Sequence, residues 1–162
     1  MVSAVLPSGV AAAVPEGTFG WPLRPRPALV RPFDPPEHDW LPGHRGVDLA
    51  GSPGQTVYAA GPGVVVFAGE VAGKPVVSIA HDGALRTTYE PVEAEVTVGR
   101  RVSRGTPVGV LKDGHEGCGA AACLHWGLRR ERTEHGDREY LDPLGLLELS
   151  PIRLKPVDPA SG

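Results

Sequence analysis

No stretch of this 162-residue chain approaches the roughly 18 consecutive apolar residues that a bilayer-spanning helix requires, so no membrane span is expected. Charge of one sign is not in excess either. Lys+Arg 16 stand against Asp+Glu 19, a net charge of -3, with the two signs interspersed. That pattern lacks the electrostatic footprint of a nucleic-acid or anionic-membrane partner, and no nucleic acid is expected. Internal repeats with a period of about 20 to 50 residues are absent. No Lys or Arg precedes Arg24, so the apolar opening "MVSAVLPSGVAAAVPEG" lacks the basic start of a signal peptide, and Pro7 and Gly9 interrupt it. Since Ala11 to Ala13 still resemble the end of a signal peptide, residues 1–16 are read as a flexible leader or a signal remnant, and 151–162 as a flexible tail. Cysteine is scarce: only Cys118 and Cys123 occur, with four residues between them.

Glycine and proline are plentiful. Gly 22 and Pro 18 punctuate the chain every few residues, which favours many short strands joined by turns over long helices. An all-β domain is expected over residues 17–150. The proline-rich segment "PLRPRPALVRPFDPP" (22–36) reads as extended edge and loop, with Val30 and Phe33 dipping inward. Strands are expected in "TVYAAGPGVVVFAGEV" (56–71, broken by "GPG"), "PVVSIAH" (75–81), "LRTTYEPV" (85–92) and "AEVTVGRRVSRGTPVGVL" (94–111). The turn "HDG" makes a hairpin of the second and third. "YLDPLGLLEL" (140–149) holds the single expected short helix, with Asp142 ahead of Pro143 as its N-cap.

The segment "CLHWGLRR" (123–130) alternates cleanly. In a strand Leu124, Trp126 and Leu128 share one face, which reads as core, while Cys123, His125 and Gly127 share the other. A single strand histidine most often faces solvent, so His125 needs partners before it means anything. The loop "LPGHRGVDLAG" offers His44 and Asp48 at H-x-x-x-D spacing among glycines. Both can turn toward one cation, with His125 as a third ligand from a distant strand, and two nitrogens with one carboxylate suit Zn²⁺ better than Ca²⁺ or Mg²⁺. The spacing alone is a weak signal, because a loop aspartate is more often a turn residue.

In order along the chain, "GHRGVDLAG", "VYAAGPGVVVFAG", "VVSIAHDGALRTTYEPV", "VTVGRRVSRGTPVGVL" and "CLHWGLR" resemble the segments of the lysostaphin and LytM-type zinc peptidoglycan endopeptidases, family twenty-three of the metallopeptidases. The resemblance spans about residues 20 to 147. It implies a LytM-type antiparallel sheet or sandwich crossed by a groove, and a Zn²⁺ cofactor held by His44, Asp48 and His125. It further implies an extracytoplasmic, secreted or wall-associated protein whose substrate is a peptidoglycan peptide.

The family carries two more histidines that do chemistry, the first of H-x-H and the last of Y-x-H. Here those positions are Cys123 and Pro91. Loss of acid–base help costs about 10²- to 10⁴-fold in rate, so catalytic residues are unassigned. His115, in the loop "DGHEGCG", is the substitute considered. Glu90 is expected to point away from the groove by strand parity, with Thr88 and Val92. His81 reads as structural or as a groove wall, and His38 and His135 as solvated. Cys123 has two options: as a thiolate it would complete a closed four-ligand zinc site, and as a disulfide with Cys118 it would pin the loop of His115. The disulfide is the expectation for an exported chain.

Two functions follow, a zinc endopeptidase in cell-wall remodelling, or a non-catalytic zinc-containing module that binds peptidoglycan or activates a partner cell-wall hydrolase. A third, a lipoyl- or biotinyl-carrier hairpin, is set aside. Its turn lysines, Lys74 and Lys112, lack a Met-flanked context, the single methionine being Met1.

Overall fold

The computed structural model describes residues 17–38, 40–132 and 134–148. The expected leader (1–16) and tail (151–162) lie outside these residues. Among the described residues, eleven strands run in the order β1 (Leu29–Arg31), β2 (Gly46–Gly51), β3 (Thr56–Tyr58), β4 (Gly63–Val71), β5 (Lys74–His81), β6 (Leu85–Glu90), β7 (Val92–Ala94), β8 (Arg101–Val102), β9 (Pro107–Leu111), β10 (Ala122–Arg130) and β11 (Glu139–Leu141). A short helix, α1 (Leu144–Glu148), follows. The Asp142 carboxylate accepts a hydrogen bond from Leu144 N at 3.0 Å, the capping contact expected of an Asp ahead of Pro143.

Strand pairing is antiparallel throughout the described ladders. The large sheet has the order β1-β2-β10-β6-β5-β4-β8, with β11 also on β10, and a three-stranded sheet has the order β3-β9-β7. The chain leaves the large sheet at Pro91, between β6 and β7. Proline has no N–H for the ladder, so the strand cannot continue on the same pairing, and β7 joins β9 in the small sheet instead. One apolar cluster takes residues from both sheets: Val57, Val92, Val108 and Leu111 from the small one, and Val47, Leu49, Ile79, Leu124 and Trp126 from the large one. Burial of this size is what holds two sheets face to face.

The core face of β10 is as expected, with Leu124 and Trp126 fully buried and Leu128 nearly so, while on the other face Cys123 and Gly127 are buried too and His125 is half-buried. One part of the proline-rich segment differs from expectation. Val30 does not dip inward; it is exposed, as are its neighbours in β1. Among the described residues the edge strand β1 pairs on one side only, and its register slips between Leu29 and Arg31; the segment turns inward instead at Pro22 and Leu23, both buried, and at Phe33, packed against the core.

Candidate metal centre

The central pairing of the site is between β2 and β10. Their antiparallel register sets His125 directly opposite Asp48, and directly opposed residues project from the same sheet face. Val47 and Leu49 go to the core, so Asp48 goes to the other side. His44 lies just ahead of β2, where a two-way backbone bridge to Asp34 holds the loop (His44 N to Asp34 O 2.7 Å, Asp34 N to His44 O 2.9 Å). Gly46 between them is required by space. A Cβ there would meet Trp126 O at 2.6 Å and His125 Nε2 at 2.8 Å, which explains the glycine of "HRGVD".

His44 Nε2 and His125 Nδ1 each lie 3.0 Å from Asp48 Oδ1, and 3.2 Å from one another. Zinc bonds of about 2.0–2.1 Å in tetrahedral array set ligand atoms about 3.3 Å apart, so this triangle has nearly the dimensions of one tetrahedral face. Protonation supports the same fit. His44 Nδ1 donates to Pro32 O at 2.9 Å, which in a neutral ring leaves the lone pair on Nε2, aimed at a carboxylate oxygen. That contact contains no hydrogen, and a cation is the group that would satisfy both atoms. Asp48 is buried, which opposes ionisation, but hydrogen bonds from His125 and His115, together with the positive charge that His115 and His44 carry when protonated, outweigh burial and hold its carboxyl down at about 2. It therefore stays an anion.

His115 joins the cluster. It sits on the loop between β9 and β10, and its Nε2 lies 3.0 Å from the second oxygen of Asp48, Oδ2. The potential ligand atoms of His44, Asp48, His115 and His125 all fall within 4.8 Å of each other. Cys123, the position of the first H-x-H histidine, is fully buried and bonded to Cys118 in a disulfide with a Cα–Cα distance of 5.7 Å. The thiolate-ligand option for Cys123 is thereby set aside in this state.

Glu90 is a correction. It pairs directly with His125, as Thr88 does with Gly127, so Glu90 lies on the groove face and lines a pocket with Arg45, Thr88, His125 and Tyr140. Parity within β6 does not carry across Pro91 to Val92, which is buried in the small sheet. Thr88 and Tyr140 had no signal in the sequence as site residues, and Arg45 only its place after His44; Arg45 lies over the Tyr140 ring at 5.7 Å. His81 takes the structural role, its Nδ1 donating to Pro62 O and its Nε2 paired with Thr87 Oγ1, both at 2.7 Å. His38 is exposed and stacks on Trp40, and His135 is exposed.

The sequence profile of peptidase family M23 matches residues 42–143. An uncharacterised protein of Mycobacterium tuberculosis is 61% identical over 142 residues, which is 88% of this chain and 56% of that protein. The chain thus spans about half the length of the curated relatives it matches. Among solved structures, lysostaphin from Staphylococcus simulans is similar with a TM-score of 0.65 at 20% identity, over 85% of this chain and 57% of that one. A zinc-containing peptidase from Vibrio cholerae is similar with a TM-score of 0.59 at 24% identity, over 70% of this chain and 37% of that one. The described architecture, two antiparallel sheets with one short helix, is the LytM and lysostaphin fold.

Proposed function

Because the chain belongs to peptidase family M23, we propose that it is a zinc metalloendopeptidase acting on peptidoglycan peptides in cell-wall remodelling. The observation that carries this reading is the triangle of His44 Nε2, Asp48 Oδ1 and His125 Nδ1, with sides of 3.0, 3.0 and 3.2 Å. These three atoms would hold the metal. The chemistry zinc supplies at such a site is Lewis acidity toward a peptide carbonyl and toward water. The rest falls to the chain. Pro32 O fixes the His44 tautomer so that Nε2 faces the site, an arrangement usual for metal-bound histidine. Arg45 and Tyr140 wall the pocket next to His125 and would orient a peptide there. Glu90, on the same face as His125, is the carboxylate suited to take a proton from water and return it to the leaving amine, in place of the histidines that Pro91 and Cys123 have replaced. The Cys118–Cys123 disulfide fits an oxidising, extracytoplasmic location.

A second reading has its own observation in favour. At the two positions where the resemblance calls for catalytic histidines stand a proline and a half-cystine, which suits a non-catalytic module that binds wall peptide or a partner hydrolase. One assay separates the two. Zinc-loaded protein is incubated with peptidoglycan and the products are read by mass spectrometry. The peptidase reading expects new peptide ends that vanish with His125→Ala and fall by about 10²-fold or more with Glu90→Gln. Intact wall that co-sediments with the protein would overturn it in favour of the binding module.

A further inference from the structure

The loop carrying His115 is fastened covalently near its middle. Cys118, three residues after His115, is bonded to Cys123 at the start of β10, two residues before His125. The bridge therefore fastens the loop to the strand that carries one of the three metal-site donors. Its result is seen at Asp48. The carboxylate divides its two oxygens: Oδ1 faces His44 and His125 at 3.0 Å, and Oδ2 meets His115 Nε2 at 3.0 Å. His115 thus contacts the oxygen turned away from the triangle, and its Nδ1 is buried without a hydrogen-bond partner. An ionised carboxylate only accepts, so the neutral ring carries its proton on Nε2, where it is donated to Oδ2, and leaves the lone pair on Nδ1. With Asp48 only slightly exposed, this hydrogen bond and the Oδ1 contacts define how the carboxylate is turned.

We propose that His115, latched by the Cys118–Cys123 disulfide, is a positioning residue that holds Asp48 in its metal-binding orientation from outside the coordination shell, so that metal retention depends on the disulfide. This deepens the metal-centre reading above and rests on it. At the H-x-H position this chain thus has a half-cystine that brings a histidine to the site from a loop. Reduction by a phosphine transfers two electrons to the disulfide, the phosphine becoming its oxide with oxygen from water, and yields two thiols. The loop is then free to leave, and Asp48 loses its outer partner. Partners of this kind contribute about 10- to 100-fold to metal affinity.

The test is metal affinity of the oxidised full chain, measured by competition of Zn²⁺ against a chromophoric chelator, with Co²⁺ absorption as a reading of the coordination shell. His115→Ala and the double variant Cys118→Ser/Cys123→Ser are each expected to bind Zn²⁺ about 10- to 100-fold more weakly. Combining them should add little, because both remove the same contact. His115→Gln, which keeps a side-chain N–H donor, should recover most of the affinity, a rescue that general loss of folding would not give. The Co²⁺ spectrum of His115→Ala should keep the wild-type band positions and intensity. Wild-type affinity in His115→Ala or in the cysteine double variant would overturn the proposal, as would a Co²⁺ spectrum altered by His115→Ala, which would make His115 a ligand. Wild-type protein that binds neither Zn²⁺ nor Co²⁺ would instead overturn the metal centre itself.

Discussion

His81 and His125 are both strand histidines in the large sheet, yet their surroundings are opposite. His81 ends β5 with each ring nitrogen matched to one complementary protein atom, Pro62 O and Thr87 Oγ1, both at 2.7 Å. A neutral imidazole satisfies both at once, since Nδ1 donates to the carbonyl while Nε2 accepts from the hydroxyl. Burial, more than the opposing pull of Pro62 O and Asp82, moves its pKa below the ordinary 6.5. His125 points its Nδ1 at an oxygen and a nitrogen, Asp48 Oδ1 and His44 Nε2, that one ring proton cannot fully satisfy. The lesson is that a histidine's role is read from whether its partners close its valence. Those of His81 do, and those of His125 leave room for a cation.

The contrast can be broken experimentally, and the largest effect should come from metal. Zinc at a thousandfold excess over its Kd stabilises a native-only site by about 4 kcal/mol, which in a domain of this size raises Tm by about 10 °C. Wild type and His81→Ala should both show the rise and His125→Ala should not; calorimetry with and without chelator checks it. A zinc response that survives in His125→Ala, or is lost in His81→Ala, would erase the distinction drawn here.

A smaller effect is expected from His81 itself. Replacing it with alanine leaves Thr87 Oγ1 and Pro62 O without their ring partner inside the fold, a loss of about 1–3 kcal/mol. Urea titration of the metal-free proteins is the measurement, and equal midpoints would mean that the His81 contacts contribute nothing.

The smallest effect is in the pH dependence. A histidine whose folded pKa lies below its unfolded value binds more protons when unfolded, so it contributes stability that is present above the unfolded pKa and is lost as pH falls toward the folded one. Metal-free wild type should therefore weaken on going from pH 7.5 to 5 by more than His81→Gln, which cannot titrate. Parallel curves for the two proteins would show that His81 carries no such linkage.

Much of this site was legible along the chain. Alternation in "CLHWGLRR" placed Leu124, Trp126 and Leu128 inward and His125 on the other face, and the structure has them so. The spacing in "HRGVD" put His44 and Asp48 on one turn of chain, and the structure sets them 3.0 Å apart. Glu90 went wrong for a definite reason. Parity ranks residues within one strand, but which face meets the groove depends on pairing with a neighbour, and β6 pairs with β10 so that Glu90 opposes His125. Val30 erred similarly: an apolar residue in an extended segment buries its side chain only if something packs on it, and at the edge strand β1 nothing described does.

What the sequence determined by itself is therefore local in nature: the strand periods, the turns, the helix cap at Asp142, the glycine of "HRGVD" and the kinds of donor atom at hand. These follow from backbone geometry and residue chemistry over a few neighbours. Tertiary structure alone decided the rest. It brought His125 to Asp48 from 77 residues away, turned Glu90 into the pocket, and set His115 against the second Asp48 oxygen under the Cys118–Cys123 bridge. Those contacts depend on strand register and on where a loop is anchored, and both are settled only when many distant residues are packed at once.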